Sequence, residues 1–173
     1  MSLSHLNVEI KARCRDAQAA RNALRSRGAE FKGTDRQVDT YFRVRRGRLK
    51  LREGDIENAL IFYERPDQPG PKESRVILCP RPGDPLKEVL TAALGVLVVV
   101  GKRREIYFID NVKFHIDEVD GLGSFLEIEA IDETGSVGRD QLRAQCREHM
   151  AALGVERGEL VECSYSDMLL ERV

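Results

Sequence analysis

The chain has 173 residues, enough for one domain with a proper core and too few for two large ones, so residues 1–173 are read as a single domain. With 33% charged residues but a formal net charge of -1, it lacks the basic bias of a nucleic-acid binder, and no nucleic-acid partner is expected. Cys14, Cys79, Cys146 and Cys163 are widely spaced with no C-x-x-C, and the longest apolar run, Val96 to Val100, is too short to span a bilayer; these features point to reduced thiols in a cytoplasmic protein without a membrane segment.

In chain order, Leu6 to Arg13 reads as a first strand, and Asp16 as the N-cap of a helix through Arg27 closed by Gly28. Phe31 to Val44 is rich in strand formers, and Arg45-Arg46-Gly47 reads as a hairpin turn into Arg48 to Glu53, with Arg45, Arg46 and Arg48 expected to be solvated. A strand over Ala59 to Arg65 precedes the Pro/Gly-rich stretch 66–71, which breaks regular structure, and Glu73 to Cys79 resumes a strand. Asp84 before Pro85 predicts a capped helix start running to Leu94. Val96 to Ile109, Asn111 to Val119 and Ser124 to Ile131 predict a meander, followed by a helix from Val137 to Leu153. A short strand over Leu160 to Cys163 and a last helical turn capped by Ser164 complete the chain. Antiparallel hairpins with inserted helices make an α+β fold rather than a βαβ nucleotide fold. With no G-x-G-x-x-G or Walker-type loop, any phosphate would have to be held by side chains.

The strands share an unusual alternation. Glu127 and Glu129 lie on one face of their strand with Phe125, while Leu126 and Ile128 lie on the other. Asn7, Glu9 and Lys11 alternate with Val8 and Ile10; Lys50 and Arg52 with Leu49 and Leu51; Lys113, His115 and Asp117 with Val112, Phe114 and Ile116; Lys102 and Arg104 also share a face. For any one strand a sheet with a solvated outer face accounts for this. The number of strands involved favours a barrel with a charged interior and an apolar outside covered by helices.

If those faces converge, Glu9, Asp117, Glu127 and Glu129 meet Lys11, Lys50, Arg52, Lys102, Arg104 and Lys113, with Arg65 or Arg75 as additions. Unpaired buried charges each cost several kcal/mol, so such a lumen calls for water, metal and an anionic ligand. A polyphosphate with divalent cations meets that need: Arg and Lys bind phosphate oxygens, and carboxylates hold a hard ion such as Mg2+ or Mn2+.

The start Asn-Val-Glu-Ile-Lys-Ala, Asp39-Thr40-Tyr41-Phe42, Leu49-Lys50-Leu51-Arg52-Glu53, Lys102-Arg103-Arg104, His115-Ile116-Asp117 and Gly121-Leu122-Gly123-x-Phe125-Leu126-Glu127-Ile128-Glu129 together resemble the CYTH domain. That superfamily includes class IV adenylate cyclases and thiamine triphosphatases and belongs to the triphosphate tunnel metalloenzymes; the likeness is nearest to the cyclase-like branch. The resemblance implies an eight-stranded antiparallel β-barrel or tunnel with helices packed outside. It also implies Mg2+ or Mn2+ on Glu9, Glu127 and Glu129 with Asp117 as a further contributor. A nucleotide or organic triphosphate would lie on Lys11, Lys50, Arg52, Arg65, Lys102, Arg104 and Lys113, Lys11 being the catalytic residue. Two departures stand out: Asn7 replaces the first Glu of a Glu-x-Glu-x-Lys signature, and Tyr63-Glu64-Arg65 lacks the Lys of many members, with strict alternation allowing only one of Glu64 and Arg65 to point inward. The implied reaction is ATP cyclisation or triphosphate hydrolysis. A triphosphate-binding module without turnover and an exposed-sheet interaction protein stand as alternatives, and the oligomeric state, a homodimer included, is left open.

Overall fold

The computed structural model describes residues 3–172. Eight strands, β1 (Leu3–Arg13), β2 (Glu30–Phe42), β3 (Arg48–Gly54), β4 (Ala59–Glu64), β5 (Lys72–Pro80), β6 (Val96–Ile109), β7 (Val112–Val119) and β8 (Gly123–Asp132), close into a barrel. The order around the ring is β1-β5-β4-β3-β2-β6-β7-β8, every pair antiparallel, and β1 completes the circle by pairing with both β5 and β8. Closure gives each of these strands a neighbour on both sides. Outside lie four helices, α1 (Ala17–Ser26), α2 (Leu86–Leu94), α3 (Arg139–Ala152) and α4 (Tyr165–Leu170). None of the described helices is long and apolar enough to cross a membrane.

The alternation seen in the sequence sorts the strands' side chains between wall and lumen. Val8 and Ile10 of β1, Phe114 and Ile116 of β7, and Leu126 and Ile128 of β8 point outward into an apolar layer beneath α1 and α3, where Leu24, Leu142 and Cys146 meet them. Burying each large aliphatic contributes about 1.5–3 kcal/mol, so this layer fixes which way β1, β7 and β8 face. Asp16 caps α1 by accepting from the amides of Gln18 and Ala19, both at 2.9 Å.

A second cluster closes one end of the barrel, where Tyr41, Val100, Val119 and Phe125 pack against Tyr165 and Met168 of α4. Ser164 caps α4 through the Asp167 amide in a reciprocal capping box. Buried Lys72 donates to the carbonyls of Gln68, Val161 and Glu162 at 3.1, 2.9 and 2.9 Å, tying the C-terminal segment to β5.

Several local expectations are corrected. Residues 160–163 form no strand, only an isolated bridge between Ala12 and Leu160, because β5 already pairs with β1 from Leu3 to Glu9, and the Val161 and Glu162 carbonyls accept from Lys72 instead. Asp84 does not cap α2; Pro85 occupies that position, one residue later, and offers no side-chain acceptor. Arg48 is not a solvated turn residue: α4 returns Asp167 to it at 2.7 Å, and Asp67 joins at 2.9 Å. The register question at the end of β4 resolves with Glu64 outside, paired with Arg46, and Arg65 inside, its side chain 4% exposed.

Candidate functional site

The lumen encloses a cavity of about 440 Å³, a size typical of small-molecule sites. Of the candidates, Glu9, Lys11, Lys50, Arg52, Arg65, Lys102, Arg104, Lys113, Glu127 and Glu129 all line it. Asp117 does not. It points to the same side of the sheet but is covered at the packed end, where Arg104 donates to it through Nε at 2.7 Å and Nη2 at 2.5 Å, and the Tyr165 hydroxyl at 2.8 Å.

The cations fall into two groups. On one side Asp39 gathers three of them: Arg52 donates at 2.8 and 2.9 Å, Lys102 at 2.7 Å and Lys50 at 3.0 Å. Burial would push the Asp39 carboxyl up, but Arg52, Lys50 and Lys102 together hold it well below the usual range. Burial drives Lys102 down to about 7 despite Asp39 beside it. A single carboxylate shared by three cations leaves donors free for a further anion, a fitting arrangement for phosphate.

On the other side, β1 and β8 bring the carboxylates together: Glu9 faces Glu129 and Lys11 faces Glu127 in register. Glu127 is well partnered, with Lys11 at 3.3 Å, Arg104 at 2.8 Å and the His115 Nδ1 at 3.1 Å. Burial raises its proton affinity, but Lys11 and Arg104 more than offset this and hold it well below the usual range. Glu9 is paired with Arg65. Glu129 has no ion pair or side-chain hydrogen bond among the described residues, and burial together with Glu9 pushes its carboxyl up to about 7. His115 is almost wholly buried, with burial and Arg104 taking it down to about 4, so the ring is neutral at pH 7.

These residues fit a divalent ion. One ligand atom each from His115, Glu127 and Glu129 lie within 4.8 Å of one another, and an unpartnered carboxylate at Glu129 lacks the cation its burial demands. Carboxylate oxygens suit hard ions of the Mg2+ and Mn2+ kind. Asn7 faces the same cavity with a buried, unpartnered Oδ1, an oxygen without charge beside Glu9.

Two site residues escaped the sequence reading. Asp39 stands in the sequence only as part of a strand motif, though it shares the face of Tyr41 and so points into the lumen. Glu57 lies in the β3–β4 turn, where no periodicity applies, and reaches back to Arg52 at 3.0 Å and to Lys113. At that same end Ile56, Leu78, Phe108 and Ile131 give the cavity an apolar wall, while Tyr165 lies at the opposite, packed end with Lys11 Nζ 3.9 Å from its ring centroid.

The model of the CYTH domain family matches residues 5–165. The chain is 26% identical over 175 residues to "Putative adenylate cyclase MJ0240" of Methanocaldococcus jannaschii, covering 94% of this chain and 98% of that one. Among solved structures it resembles the PH1012 protein of Pyrococcus horikoshii OT3, with a TM-score of 0.80 at 23% identity over 93% of this chain and 98% of that one. It also resembles the Hippeastrum protein "Putative adenylyl cyclase HpAC1", described as having a dominant triphosphatase activity, with a TM-score of 0.59 at 15% identity over 97% and 95% of the two chains.

Proposed function

The chain belongs to the CYTH domain family, and from that premise we propose that it is a divalent-metal-dependent enzyme acting on a nucleotide or organic triphosphate held in the barrel, by a class IV adenylate cyclase-like reaction that turns ATP into cyclic AMP and pyrophosphate. One observation carries the reading: a single cavity is faced on one side by Lys50, Arg52 and Lys102 and on the other by Glu9, Glu127 and Glu129. The apolar wall of Ile56, Leu78, Phe108 and Ile131 favours a substrate with an organic group over inorganic triphosphate, because burying flat apolar surface there is favourable.

In this reading Glu127 and Glu129 hold the ion, with Glu9 facing it from β1. A Mg2+ or Mn2+ ion held there would supply positive charge to offset that on the phosphate oxygens. Lys50, Arg52 and Lys102 orient the phosphate chain, already aimed by Asp39 so that little reorganisation is needed at the moment of reaction. Arg104, fixed by Asp117, adds a fork beside Glu127. Lys11 is the catalytic candidate: burial lowers its proton affinity, and Nζ, 3.3 Å from Glu127, would in its neutral form take the proton that the attacking hydroxyl gives up as it bonds to phosphorus.

Hydrolysis is the second reading, favoured by the absence of any demand in this cation and carboxylate set for a ribose hydroxyl rather than water as nucleophile, and by the activity described for the Hippeastrum relative. Incubating the purified chain with ATP, thiamine triphosphate and inorganic triphosphate, each with Mg2+ or Mn2+, separates the readings. Cyclic AMP with pyrophosphate supports the cyclase, and orthophosphate supports the hydrolase. Saturable binding without product leaves a binding module, and no binding at all overturns the proposal.

A further inference from the structure

Lys113 of β7 and Glu129 of β8 are directly paired across adjacent strands and point into the same cavity. Opposite charges so placed ordinarily form an ion pair. Here they do not: Lys113 Nζ is paired instead with the carboxylate of Glu57, which also accepts from Arg52 Nη1 at 3.0 Å and Gln37 Nε2 at 2.9 Å.

The turn carrying Glu57 is held in place. Fully buried Asp35 accepts from the amides of Ile56 and Glu57 at 2.9 and 3.0 Å and from Gln37 Nε2 at 2.7 Å. Arg81 donates its amide to the Asn58 carbonyl at 2.9 Å. Gly54 packs so tightly on this arrangement that a Cβ there would stand 2.7 Å from Asp35 Oδ2. The Glu57 carboxylate is therefore presented to Lys113 from a fixed backbone. Of the two glutamates on β8, Glu127 is occupied by cations and Glu129 is open.

We propose that Glu57 is a positioning residue: it draws Lys113 away from Glu129 and so keeps that carboxylate available to a divalent cation. This rests on the reading of Glu127 and Glu129 as metal-holding residues. Removal of Glu57 frees the ammonium to swing onto Glu129, where it competes with the metal.

The test is Mn2+ binding to the full chain without substrate, followed by electron paramagnetic resonance, with urea unfolding confirming that each variant is folded. Glu57→Gln is expected to weaken Mn2+ binding about tenfold, the range seen when groups supporting a metal ligand are lost. In a Lys113→Met background the same substitution is expected to change affinity by about twofold or less, since the competitor is gone. Lys113→Met alone is expected to stay within about twofold of the wild type, and Glu57→Asp to recover most of the affinity lost in Glu57→Gln. Equal losses from Glu57→Gln in both backgrounds would show that Glu57 acts only through its charge and overturn the proposal, as would no loss, or a tenfold tightening from Lys113→Met alone. A wild-type chain that binds no Mn2+, or binds it equally well as Glu129→Gln, overturns the metal assignment itself and this inference with it.

Discussion

Arg104 and Asp117 stand opposite one another on β6 and β7 and share two hydrogen bonds, at 2.7 and 2.5 Å, with both side chains almost wholly buried. The Tyr165 hydroxyl donates to the same carboxylate from α4. Asp117 thereby aims the Arg104 fork at Glu127 and the cavity, and couples the lumen to the packed end of the barrel.

Removing its charge leaves the buried Arg104 guanidinium with Glu127 as its one carboxylate partner among the described residues. Asp117→Asn is expected to cost about 3–5 kcal/mol of stability, the range for breaking one side of a buried pair. Urea denaturation measures it, and a loss below about 1 kcal/mol, the level of an exposed pair, would show that solvent reaches this contact.

Glu129 and Glu127 should separate in their effects. Glu129→Gln removes a carboxylate with no partner among the described residues and is expected to lower metal-dependent turnover by about a hundredfold or more, as for loss of a group acting on the transition state, with little change in the unfolding midpoint. Glu127→Gln is expected to lose turnover and stability together, because Lys11, Arg104 and His115 all lean on it. Unchanged turnover in both variants refutes the site assignment.

The raised Glu129 carboxyl has a signed pH consequence. Its folded value of about 7 exceeds the ordinary 4.5, so the folded state holds the extra proton between them. The stability it contributes is fully present below the ordinary value and is lost as pH rises through 7. The metal-free chain should therefore lose stability across that window relative to Glu129→Gln, which cannot titrate. Mn2+ affinity should fall roughly tenfold per pH unit below 7, as each ion displaces one proton. Thermal melts and Mn2+ titrations at several pH values check both, and parallel profiles for the two proteins would refute it.

Asn7 faces the cavity two residues from Glu9 on the same side of β1. Asn7→Glu restores a second carboxylate and is expected to tighten Mn2+ binding by about tenfold or more, equivalent to at least 1.4 kcal/mol of added attraction. Calorimetric titration gives the affinity and the number of ions; an unchanged isotherm would mean that this position does not reach the metal.

Much of this site was legible before any coordinates. Period-two alternation put Glu9 with Lys11, Lys50 with Arg52, Lys102 with Arg104 and Glu127 with Glu129, and each pair lines the cavity. Asp117 obeys the same alternation as Lys113, yet does not reach the cavity, because alternation gives the side of the sheet and not what covers a side chain there, here Arg104 and Tyr165.

Whether the charged faces looked at one another was decided only by closure. Sharing a face is a property of a few neighbouring residues, written in the backbone's pleat, and one chain of letters is enough to state it. Meeting across a lumen requires β1 to pair with both β5 and β8, and requires the C-terminal segment to return to Lys72 and Asp117. The same holds for Arg65, which continues the alternation of Ile61 and Tyr63 just past the last residue of β4 but whose inward side only the register decides, and for Glu57, in a turn pinned by Asp35 where no period applies. Their roles come from contacts between residues distant in sequence, whose pairing depends on the packing of the whole barrel.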